Sequence, residues 1–393
     1  MFLTHRISMG FGVSVVVHEL STVLASIGHN ICICTLQADY EIPGVQIYVS
    51  DPDHNQIRDI AMSMNIDVIV AHTSPFFEVL PALMGQFSCW AWEHGDPSPD
   101  FFEQDAEERR RIIVNKQLNV YPHISGVIVS SRFLMYDIGW LASQVIHLAC
   151  DHTGDLGKKT FMDINFSTET PLKIGTLMRL GEGEALYKGG TYFLELCEEL
   201  KKNHINAEYF ILGRGTRADA KMYKEKGFQI IRNASDEERS QYLRNLDVFI
   251  SPSQWEGFNL PVTEAMKSGT LSMVFDVGAH PEVCPFLFSN IHEMVSLIAR
   301  YAMDRKILLE HSVACYNFVN KKFEWEKTVL RFLELMNKHG MFLYTKAYIP
   351  PFVEKGIIVT ANKRKSYIRK GLESIKKDGF AKTWIKTRNI IFR

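Results

Sequence analysis

Short apolar runs alternate with amphipathic stretches over most of the chain, and this feature most limits how it can fold. Runs such as Phe2–Ile7 and Leu271–Phe275 predict buried strands. Stretches such as Val13–Ile27, with apolar residues recurring every three or four positions, predict helices. Strands that alternate with helices form parallel sheets covered on both faces. The sequence therefore predicts an α/β fold with doubly wound sheets.

The alternation is interrupted once, at the polar stretch 151–171. Strands are predicted on both sides of it, at Phe2–Ile7, Ile31–Thr35, Asp67–Ala71, Phe87–Trp92, Gly126–Ser130, Val145–Ala149, Leu172–Met178, Ala207–Leu212, Phe228–Arg232, Val248–Pro252 and Leu271–Phe275. A chain of 393 residues is long enough for two domains. We expect an N-terminal domain at 1–165, a C-terminal domain at 166–340 and a tail at 341–393. Ligands of open α/β sheets bind beyond the carboxyl ends of the strands, so the chemistry is expected in a cleft between the domains.

The cysteines and the start of the chain bear on where the protein works. Seven scattered cysteines, an odd number without metal-site spacing, predict buried free thiols in a reducing compartment. The first residues lack the basic start and apolar core of a signal peptide. No run approaches the roughly 18–20 apolar residues that span a bilayer. We therefore expect a cytoplasmic protein, at most peripheral on the inner face of a membrane.

The formal net charge of -1 conceals a basic tail. Residues 341–393 hold thirteen Lys or Arg against three Asp or Glu. Within them, Ile368, Leu372 and Ile375 fall on one face of a predicted helix whose other positions are mostly basic. Such a helix suits an anionic membrane surface, contacted through residues 364–393, and packing onto the N-terminal domain is the alternative. An acidic body without a recognition fold argues against nucleic-acid binding.

The stretch Ser251–Met266 carries the clearest chemical pattern. It leaves a predicted strand, passes through a loop with Gly257 and enters a helix whose first residue is Pro261, where the missing proline N–H costs nothing. Backbone N–H groups at a helix N-terminus bind phosphate oxygens. Glu256 and Glu264 flank that position, and Glu264 is expected in the first helical turn. Acidic acceptors on both sides of an anion site suit a nucleotide sugar, which has hydroxyls at both ends of a diphosphate.

Two cations are expected to face the same site. Arg179 directly follows the strand Leu172–Met178, and Lys188 stands before the glycines that open the next helix. An Arg fork and a Lys point charge would stabilise a leaving diphosphate without a metal. We therefore expect no metal cofactor.

Two other metal-like patterns have simpler explanations. Asp51-Pro-Asp53 lies in a proline-containing loop away from the donor elements, and we expect a solvated turn there. His147, Cys150 and His152 mix a strand end with the polar linker, so we do not expect a zinc site.

These motifs resemble a known family. Arg179 with Lys188, the run from Phe210 through Gly213 to Gly215, Glu256 separated by seven residues from Glu264, and the run from Gly269 to Glu282 are similar to the retaining glycosyltransferases of family 4, the glycosyl transferases group 1. Gly10-Phe11-Gly12 resembles the glycine loop near the N-terminus of that family. The resemblance covers roughly residues 1–340. It implies the GT-B fold, in which two Rossmann-like domains face each other across a cleft.

The resemblance also implies roles for single residues. Glu264 would bind the ribose hydroxyls and Glu256 the hydroxyls of the donor sugar. Arg179 and Lys188 would bind the diphosphate, and His94 would lie near the sugar and the attacking hydroxyl. These roles make His94, Glu256, Arg179 and Lys188 the expected catalytic set. Further contacts to the donor are expected at Gly12, Gly213, Gly257, Phe258, Asn259 and Leu260.

The chain departs from the family at two places. Nine positions separate Arg179 from Lys188, more than the family has, so a longer loop must fold back. Phe11 interrupts a pair of glycines, and we expect it to narrow the acceptor entrance. Neither departure removes a charge from the donor site. His72 also follows a predicted strand and is a candidate second cleft residue.

The residues and the resemblance together predict an enzyme. We expect transfer of a hexosyl group from a nucleotide-diphosphate sugar to a hydroxyl of a glycan or lipid-linked acceptor, with retention, in cell-surface polysaccharide or glycolipid synthesis. A non-catalytic glycosyltransferase-like subunit that binds or regulates a partner is one alternative. A sugar-nucleotide epimerase on the same fold is the other.

Overall fold

The computed structural model describes residues 1–102, 104–154, 157–180 and 187–338. The predicted basic tail at 341–393, with its membrane-binding segment 364–393, lies outside the described residues. In the described part the strands are β1 (Phe2–Ile7), β2 (Cys32–Ala38), β3 (Gln46–Val49), β4 (Val68–Ala71), β5 (Ser88–Glu93), β6 (Gly126–Val129), β7 (Gln144–Val145), β8 (Leu172–Arg179), β9 (Ala207–Arg214), β10 (Gln229–Arg232), β11 (Val248–Ser251), β12 (Leu271–Phe275) and β13 (Leu287–Phe288).

Helices connect these strands and cover the sheets. Their bounds are α1 (Gly12–Ser26), α2 (His54–Ser63), α3 (Leu80–Leu83), α4 (Ala106–Asn115), α5 (Arg132–Asp137), α6 (Gly157–Met162), α7 (Gly190–Lys202), α8 (Arg217–Glu225), α9 (Asp236–Asn245), α10 (Leu260–Lys267), α11 (His280–Val283), α12 (Ile291–Met303), α13 (Arg305–Lys322) and α14 (Trp325–Lys338). None of the helices in the described ranges is both long and apolar enough to cross a membrane.

The strands form two parallel sheets. One has the order β3-β2-β1-β4-β5-β6-β7, and the other has the order β10-β9-β8-β11-β12-β13. In each sheet the chain builds outward in one direction and then restarts on the other side of its first strand, so strand order reverses between β1 and β4 and between β8 and β11. Ligands of open α/β sheets bind at such switch points. The predicted α/β class with two doubly wound sheets is confirmed.

Burial explains why the central strands were readable from sequence. Every residue of β11 and β12 is buried, because helices cover both faces of a parallel sheet. The seven cysteines are likewise buried and free, as predicted.

The last described helix returns to the first sheet. α14 packs beside α1, and its Phe332 ring lies 5.8 Å from the ring of Trp92 in β5. The same helix begins at Trp325, which reaches into the polar linker between the sheets. The chain therefore crosses back over the first sheet after completing the second.

Three sequence predictions about elements are corrected. The run Val145–Ala149 is buried, but only Gln144–Val145 pairs as a strand. The strands Gln46–Val49 and Leu287–Phe288 were missed, because each is an edge strand of only four or two residues. The polar stretch 151–171 is also more than a loop, since it contains the helix Gly157–Met162.

Candidate active site

A cavity of about 460 Å³ lies where the carboxyl ends of the two sheets face each other. Its walls come from loops that follow β1, β5 and β11 and from the last residues of β8 and β9. All eleven residues that the sequence predicts for the site line this cavity: Gly12, His94, Arg179, Lys188, Gly213, Glu256, Gly257, Phe258, Asn259, Leu260 and Glu264. The structure thus brings the predicted set together, while the role of each member stays a prediction.

The N-terminus of α10 forms one wall of the cavity. Asn259, just before the helix, has a left-handed backbone with φ of 75°, which asparagine adopts more readily than most residues. Its Nδ2 donates to Ser251 Oγ at 2.8 Å and to His280 Nε2 at 2.9 Å. His280 accepts there because its Nδ1 donates to the carbonyl of Phe275 at 2.7 Å. These bonds hold the turn, so the unpaired N–H groups of the first turn stay at the cavity wall.

The position of Glu264 on this helix differs from the prediction. α10 begins at Leu260, one residue before Pro261, so Glu264 is the fifth helical residue. With 3.6 residues per turn, it lies in the second turn and not in the first.

Lys188 and Glu256 form an ion pair on the cavity wall. The Nζ of Lys188 lies 2.8 Å from Oε1 of Glu256. Gly189, next to the lysine, has φ of +70°, and a Cβ there would lie 1.9 Å from the carbonyl oxygen of Pro252. Only glycine fits this close approach, so the backbone after Lys188 is fixed against the loop that carries Glu256.

Glu264 is fully buried and has two basic neighbours. His152 Nε2 lies 3.0 Å from its Oε1, and Arg239 Nη1 lies 3.4 Å from its Oε2. Trp325 Nε1 donates to His152 Nδ1 at 3.1 Å. Because an indole N–H only donates, His152 Nδ1 is the acceptor, and Nε2 carries the proton given to Glu264.

These neighbours set the ionisation of Glu264. Burial alone opposes its charged form, but the charge of Arg239 and the hydrogen bond from His152 outweigh burial and lower the pKa of the carboxyl. Its Oε2 accepts no hydrogen bond from any residue that the structure describes. Oε2 instead faces Arg239 Nη1 at 3.4 Å, and Glu264 borders the cavity.

Glycines let the loops after β5 and β11 meet across the cavity. A Cβ on Gly257 would lie 2.4 Å from the carbonyl oxygen of His94, and a Cβ on Gly95 would lie 2.7 Å from the Trp255 ring. Ser131 Oγ donates to the carbonyl of Gly257 at 2.7 Å. These contacts place His94 beside the loop that leads into α10.

His94 is paired with a second histidine. Its Nε2 lies 3.0 Å from Nδ1 of His72, and the two rings stack with 5.3 Å between centroids. Burial, helped by the positive charge of Lys116, lowers the pKa of His94 to about 3. The prediction that His72 is a second cleft residue is wrong, because His72 is buried and does not line the cavity. His72 instead holds the ring of His94 through this hydrogen bond and the stacking contact.

Lys116 anchors a buried polar cluster beneath this loop. Its Nζ lies 2.8 Å from Glu93 and 2.6 Å from Asp96, and the hydroxyl of Tyr121 donates to Glu93 at 2.6 Å. Burial opposes the charge of Lys116, but the two carboxylates outweigh it and raise the lysine pKa. The loop that carries His94 is thereby fixed between Glu93 and Asp96.

The glycine loop after β1 reaches the opposite wall. A Cβ on Gly12 would meet only the side chain of Leu260, at 3.9 Å, so the loop faces the start of α10 directly. The ring of Phe11 lies 5.1 Å from the guanidinium carbon of Arg179. Phe11 thus lines the cavity beside the cationic side chain of Arg179.

Gly213 lies where two neighbouring strands approach closely. It lies inside β9, and a Cβ there would lie 2.5 Å from the carbonyl oxygen of Met178 and 2.8 Å from the Leu180 side chain. Glycine is needed because β8 and the residue that follows it approach closely, so no turn is present at this position.

No group of three His, Cys, Asp or Glu suited to a metal ion occurs among the described residues. Asp53 instead caps α2, accepting from the backbone N–H groups of Asn55 and Gln56 at 2.7 and 3.0 Å. His147 lies 2.9 Å from Glu282 rather than near a second histidine.

Sequence reasoning missed the partners of the predicted residues. His152 was considered only as a metal ligand, and Arg239, Ser131 and Lys116 were not considered at all. Each contacts a predicted site residue or its loop from a distant part of the sequence, as His152 contacts Glu264 from 112 positions away. A local pattern contains no signal for such pairs.

The comparisons with known proteins agree with this architecture. Residues 173–304 match the sequence profile of the glycosyl transferases group 1. The predicted resemblance to these glycosyltransferases is therefore confirmed over the second sheet, where the pair of glutamates and both cations lie.

Similar proteins extend the likeness. Protein CapJ of Staphylococcus aureus is 23% identical over 189 residues, which is 44% of this chain and 48% of CapJ, so the chain spans about half the length of that curated relative. Sucrose-phosphate synthase from Thermosynechococcus elongatus has a TM-score of 0.70 at 16% identity and covers 86% of this chain and 98% of its own. Anabaena HepE, solved with UDP and glucose, has a TM-score of 0.65 at 14% identity and covers 86% and 100%. At these identities the structures share the GT-B fold with this chain.

Proposed function

We propose that the protein is a metal-independent, retaining glycosyltransferase that moves a hexosyl group from a nucleotide-diphosphate sugar to a hydroxyl of a glycan or lipid-linked acceptor. The observation that carries this proposal is the arrangement around the start of α10. A helix N-terminus lies between the Lys188–Glu256 pair on one side and the buried Glu264 carboxylate on the other. An anion site with acidic acceptors at both ends fits a sugar and a ribose joined by a diphosphate.

Glu264 supports the nucleotide end of this arrangement. Its lowered pKa keeps it ionised, and Oε2 has no hydrogen-bond donor among the described residues. We assign it to the ribose hydroxyls, because an ionised carboxylate is a strong acceptor for a diol. Its buried position excludes water, which strengthens that bond.

The cations support the chemical step. Arg179 and Lys188 line the cavity near the helix start, where charge builds on the leaving diphosphate. Fixed cations and backbone N–H groups stabilise such charge without the cost of reorganising solvent. The diphosphate oxygens would then take the proton of the attacking hydroxyl on the same face of the sugar, which gives retention at the anomeric carbon.

His94 would contact the sugar and the attacking hydroxyl as a neutral ring. Because its pKa is lowered to about 3, it carries no proton charge at neutral pH and acts through hydrogen bonds. Glu256, paired with Lys188, would accept hydrogen bonds from the sugar hydroxyls. The proposed setting is cell-surface polysaccharide or glycolipid synthesis. The HepE structure contains UDP and glucose, so UDP-glucose is the first donor to test.

The test is a panel of nucleotide sugars, scored for slow hydrolysis and for transfer to glycan and lipid-linked acceptors in the presence of a chelator. We expect turnover with at least one donor and a product of unchanged anomeric configuration, read by proton NMR. Glu256→Ala and Lys188→Ala should each lower turnover about 100-fold or more, as loss of one transition-state contact does. Glu237→Ala, on an exposed face of α9, is the matched control and should retain full turnover.

Other outcomes would point elsewhere. An inverted product would contradict the mechanism, and equal rates for Glu256→Ala, Lys188→Ala and the wild type would contradict the site. Turnover of the nucleotide sugar to its epimer without an acceptor would identify an epimerase. Absence of binding to every nucleoside diphosphate would identify a non-catalytic subunit.

A further inference from the structure

We propose that Arg6 and Arg214, grouped around Phe11, form a second anion site in the cavity, and that this site binds an anionic group on the acceptor. The proposal rests on the glycosyltransferase function proposed above. It adds a substrate class: an acceptor that carries a phosphate or a carboxylate near the hydroxyl that is glycosylated.

The ring of Phe11 gathers three guanidinium groups. The central carbon of Arg6 lies 4.5 Å from the ring centroid, that of Arg214 lies 4.6 Å away, and that of Arg179 lies 5.1 Å away. Because all three lie so near one point, no two are farther apart than a Debye length of about 10 Å at 0.1 M salt. They therefore repel one another, and cation–π contacts with one ring stabilise the charges only in part.

Two of the three guanidinium groups, those of Arg6 and Arg214, have no close acidic partner in the described part of the chain. Among the described residues, neither Arg6 nor Arg214 forms an ion pair with a carboxylate. Asp39 and Asp236 are near enough to act on Arg214 electrostatically, but both are exposed. The net effect of burial and of the charges on Arg179 and Arg6 is to lower the pKa of Arg214. An anion bound among these groups would remove the repulsion.

The backbone at Gly10 leaves room for the side chain of Arg214. Gly10 has φ of +71°, and a Cβ there would lie 2.8 Å from Nη2 and 2.9 Å from Nε of Arg214. The same Nη2 donates to the carbonyl of Met9. The interruption of the glycine pair by Phe11 therefore has a structural result: the ring supports the guanidinium groups, and Gly10 leaves room for one of them.

Arg214 comes from a strand beyond the one that leads into the donor cradle, and it directly follows Gly213, a predicted donor contact. The cradle follows β11, and Arg214 ends β9, which lies beyond β8 in the strand order β9-β8-β11. Strands in a sheet are about 5 Å apart, so the strand of Arg214 lies about 10 Å from that of the cradle. Arg6 comes from the first sheet, on the other side of the cavity. Arg179 lies between the two sites and is shared.

The chemistry of the cluster defines its ligand. Guanidinium groups bind carboxylate and phosphate oxygens in pairs, which fixes the ligand's orientation. The nearby wall from the first sheet is polar, with Thr4, His5 and Thr73. A sugar or lipid headgroup with one anionic substituent fits such a surface, with its hydroxyl directed to the cradle.

The experiment is calorimetry with two ligands in sequence. The wild-type protein is first saturated with the nucleoside diphosphate that binds best, and inorganic phosphate or acetate is then titrated at constant ionic strength. We expect binding of at least one of these anions to the saturated protein. Arg6→Ala and Arg214→Ala should each weaken it about tenfold, the effect of losing one charge-assisted hydrogen bond. Arg58→Ala, on α2 outside the cavity, controls for the loss of one positive charge.

The outcomes separate this proposal from the donor site. Tighter binding of phosphate than of acetate assigns a phosphate-bearing acceptor, and the reverse assigns a carboxylate. Failure of the saturated protein to bind either anion, or equal binding by Arg6→Ala and Arg58→Ala, would overturn the second site. A loss of nucleoside diphosphate affinity in Arg6→Ala as large as that in Lys188→Ala would also overturn it, because the cluster would then belong to the donor. If no nucleoside diphosphate binds, the proposed function fails, and titration of the free protein still tests the anion site.

Discussion

Glu264 shows how strongly the ionisation of a buried carboxylate depends on its neighbours. It lies on a helix of the second sheet, but His152 and the Trp325 ring that orient it come from the linker and from the last described helix. Arg239 supplies the charge that keeps it ionised despite burial. The carboxylate is therefore held in place by the protein itself, which would lower the cost of the ribose binding proposed for it.

The pH dependence of stability should reveal this arrangement. The pKa of Glu264 is lowered in the folded protein below its usual value of 4.5. Its stabilising effect is therefore complete above about pH 5 and is lost as the pH falls through the folded pKa. We expect the difference in unfolding free energy between the wild type and Glu264→Gln to be constant above pH 5 and to shrink on acidification. Urea unfolding at a series of pH values measures it, and a difference that stays constant down to pH 3 would count against the ion pair.

His72 should act on catalysis through His94. His72→Phe keeps a ring of similar size between Phe2 and Trp92 but removes the hydrogen bond to His94. Loss of one hydrogen bond corresponds to about 1 kcal/mol, so kcat should fall about fivefold to tenfold while the KM for the donor changes little. Steady-state kinetics checks the split, with thermal unfolding to confirm the fold. An unchanged kcat would mean that His72 only fills space.

His94 itself should not titrate near neutral pH. Because burial and Lys116 lower its pKa to about 3, its ring stays neutral between pH 5 and 8. Its ring proton signals, assigned by comparison with His94→Gln, should keep constant chemical shifts over that range in NMR spectra. A transition between pH 5 and 8 would show that the ring is more hydrated than the structure indicates.

Among the elements, those with a strong local pattern were predicted and those without one were not. β11 and α10 were found from a fully apolar run, a glycine loop and a proline near the helix start. β3 and β13 were missed because edge strands need apolar residues on one face only, and two to four residues do not establish a period. The start of α10 was misplaced by one residue because the left-handed backbone of Asn259 has no unique sequence signal.

Gly28 and Gly189 both have left-handed backbones, so their alanine variants distinguish the cost of backbone strain from that of a steric clash. Gly28 has φ of +92° and nothing within 4 Å of an added Cβ, whereas a Cβ on Gly189 would meet the Pro252 carbonyl. Gly28→Ala should cost about 1 kcal/mol from backbone strain alone. Gly189→Ala should cost clearly more and also weaken binding of nucleoside diphosphates, because it displaces Lys188. Chemical denaturation and calorimetry compare the two variants, and equal costs with unchanged binding would argue against a fixed Lys188 backbone.

At the scale of the molecule, the candidate functional cavity of the described residues lies between two sheets that are separate in sequence. The sequence and its resemblance to a known family predicted both sheets and eleven of the residues that line the cavity. It did not predict which side chains meet across the cavity, such as Ser131 with Gly257 or Arg6 with Arg214 around Phe11. Those contacts depend on how the sheets face each other, which no local pattern records.

The basic tail predicts that the chain binds anionic membranes when residues 341–393 are present. Residues 341–393 carry thirteen Lys or Arg against three Asp or Glu, and each basic residue near an anionic surface contributes about 1 kcal/mol. We expect the full chain to float with anionic vesicles, and the chain lacking residues 341–393 to remain unbound while still binding nucleoside diphosphates. Equal flotation of both proteins would place the membrane contact in residues 1–340. Vesicles of neutral lipid are the control.

A metal-free donor site at the start of α10 should bind nucleoside diphosphates in the presence of a chelator. Calorimetry with UDP, GDP and ADP in EDTA should show one-to-one binding of at least one of them by the wild type. Lys188→Ala and Glu264→Gln should each weaken it about tenfold or more, since each removes one charged partner of the ligand. Absence of binding to all three, or binding that appears only when a divalent cation is added, would rule out a metal-free donor site at this helix.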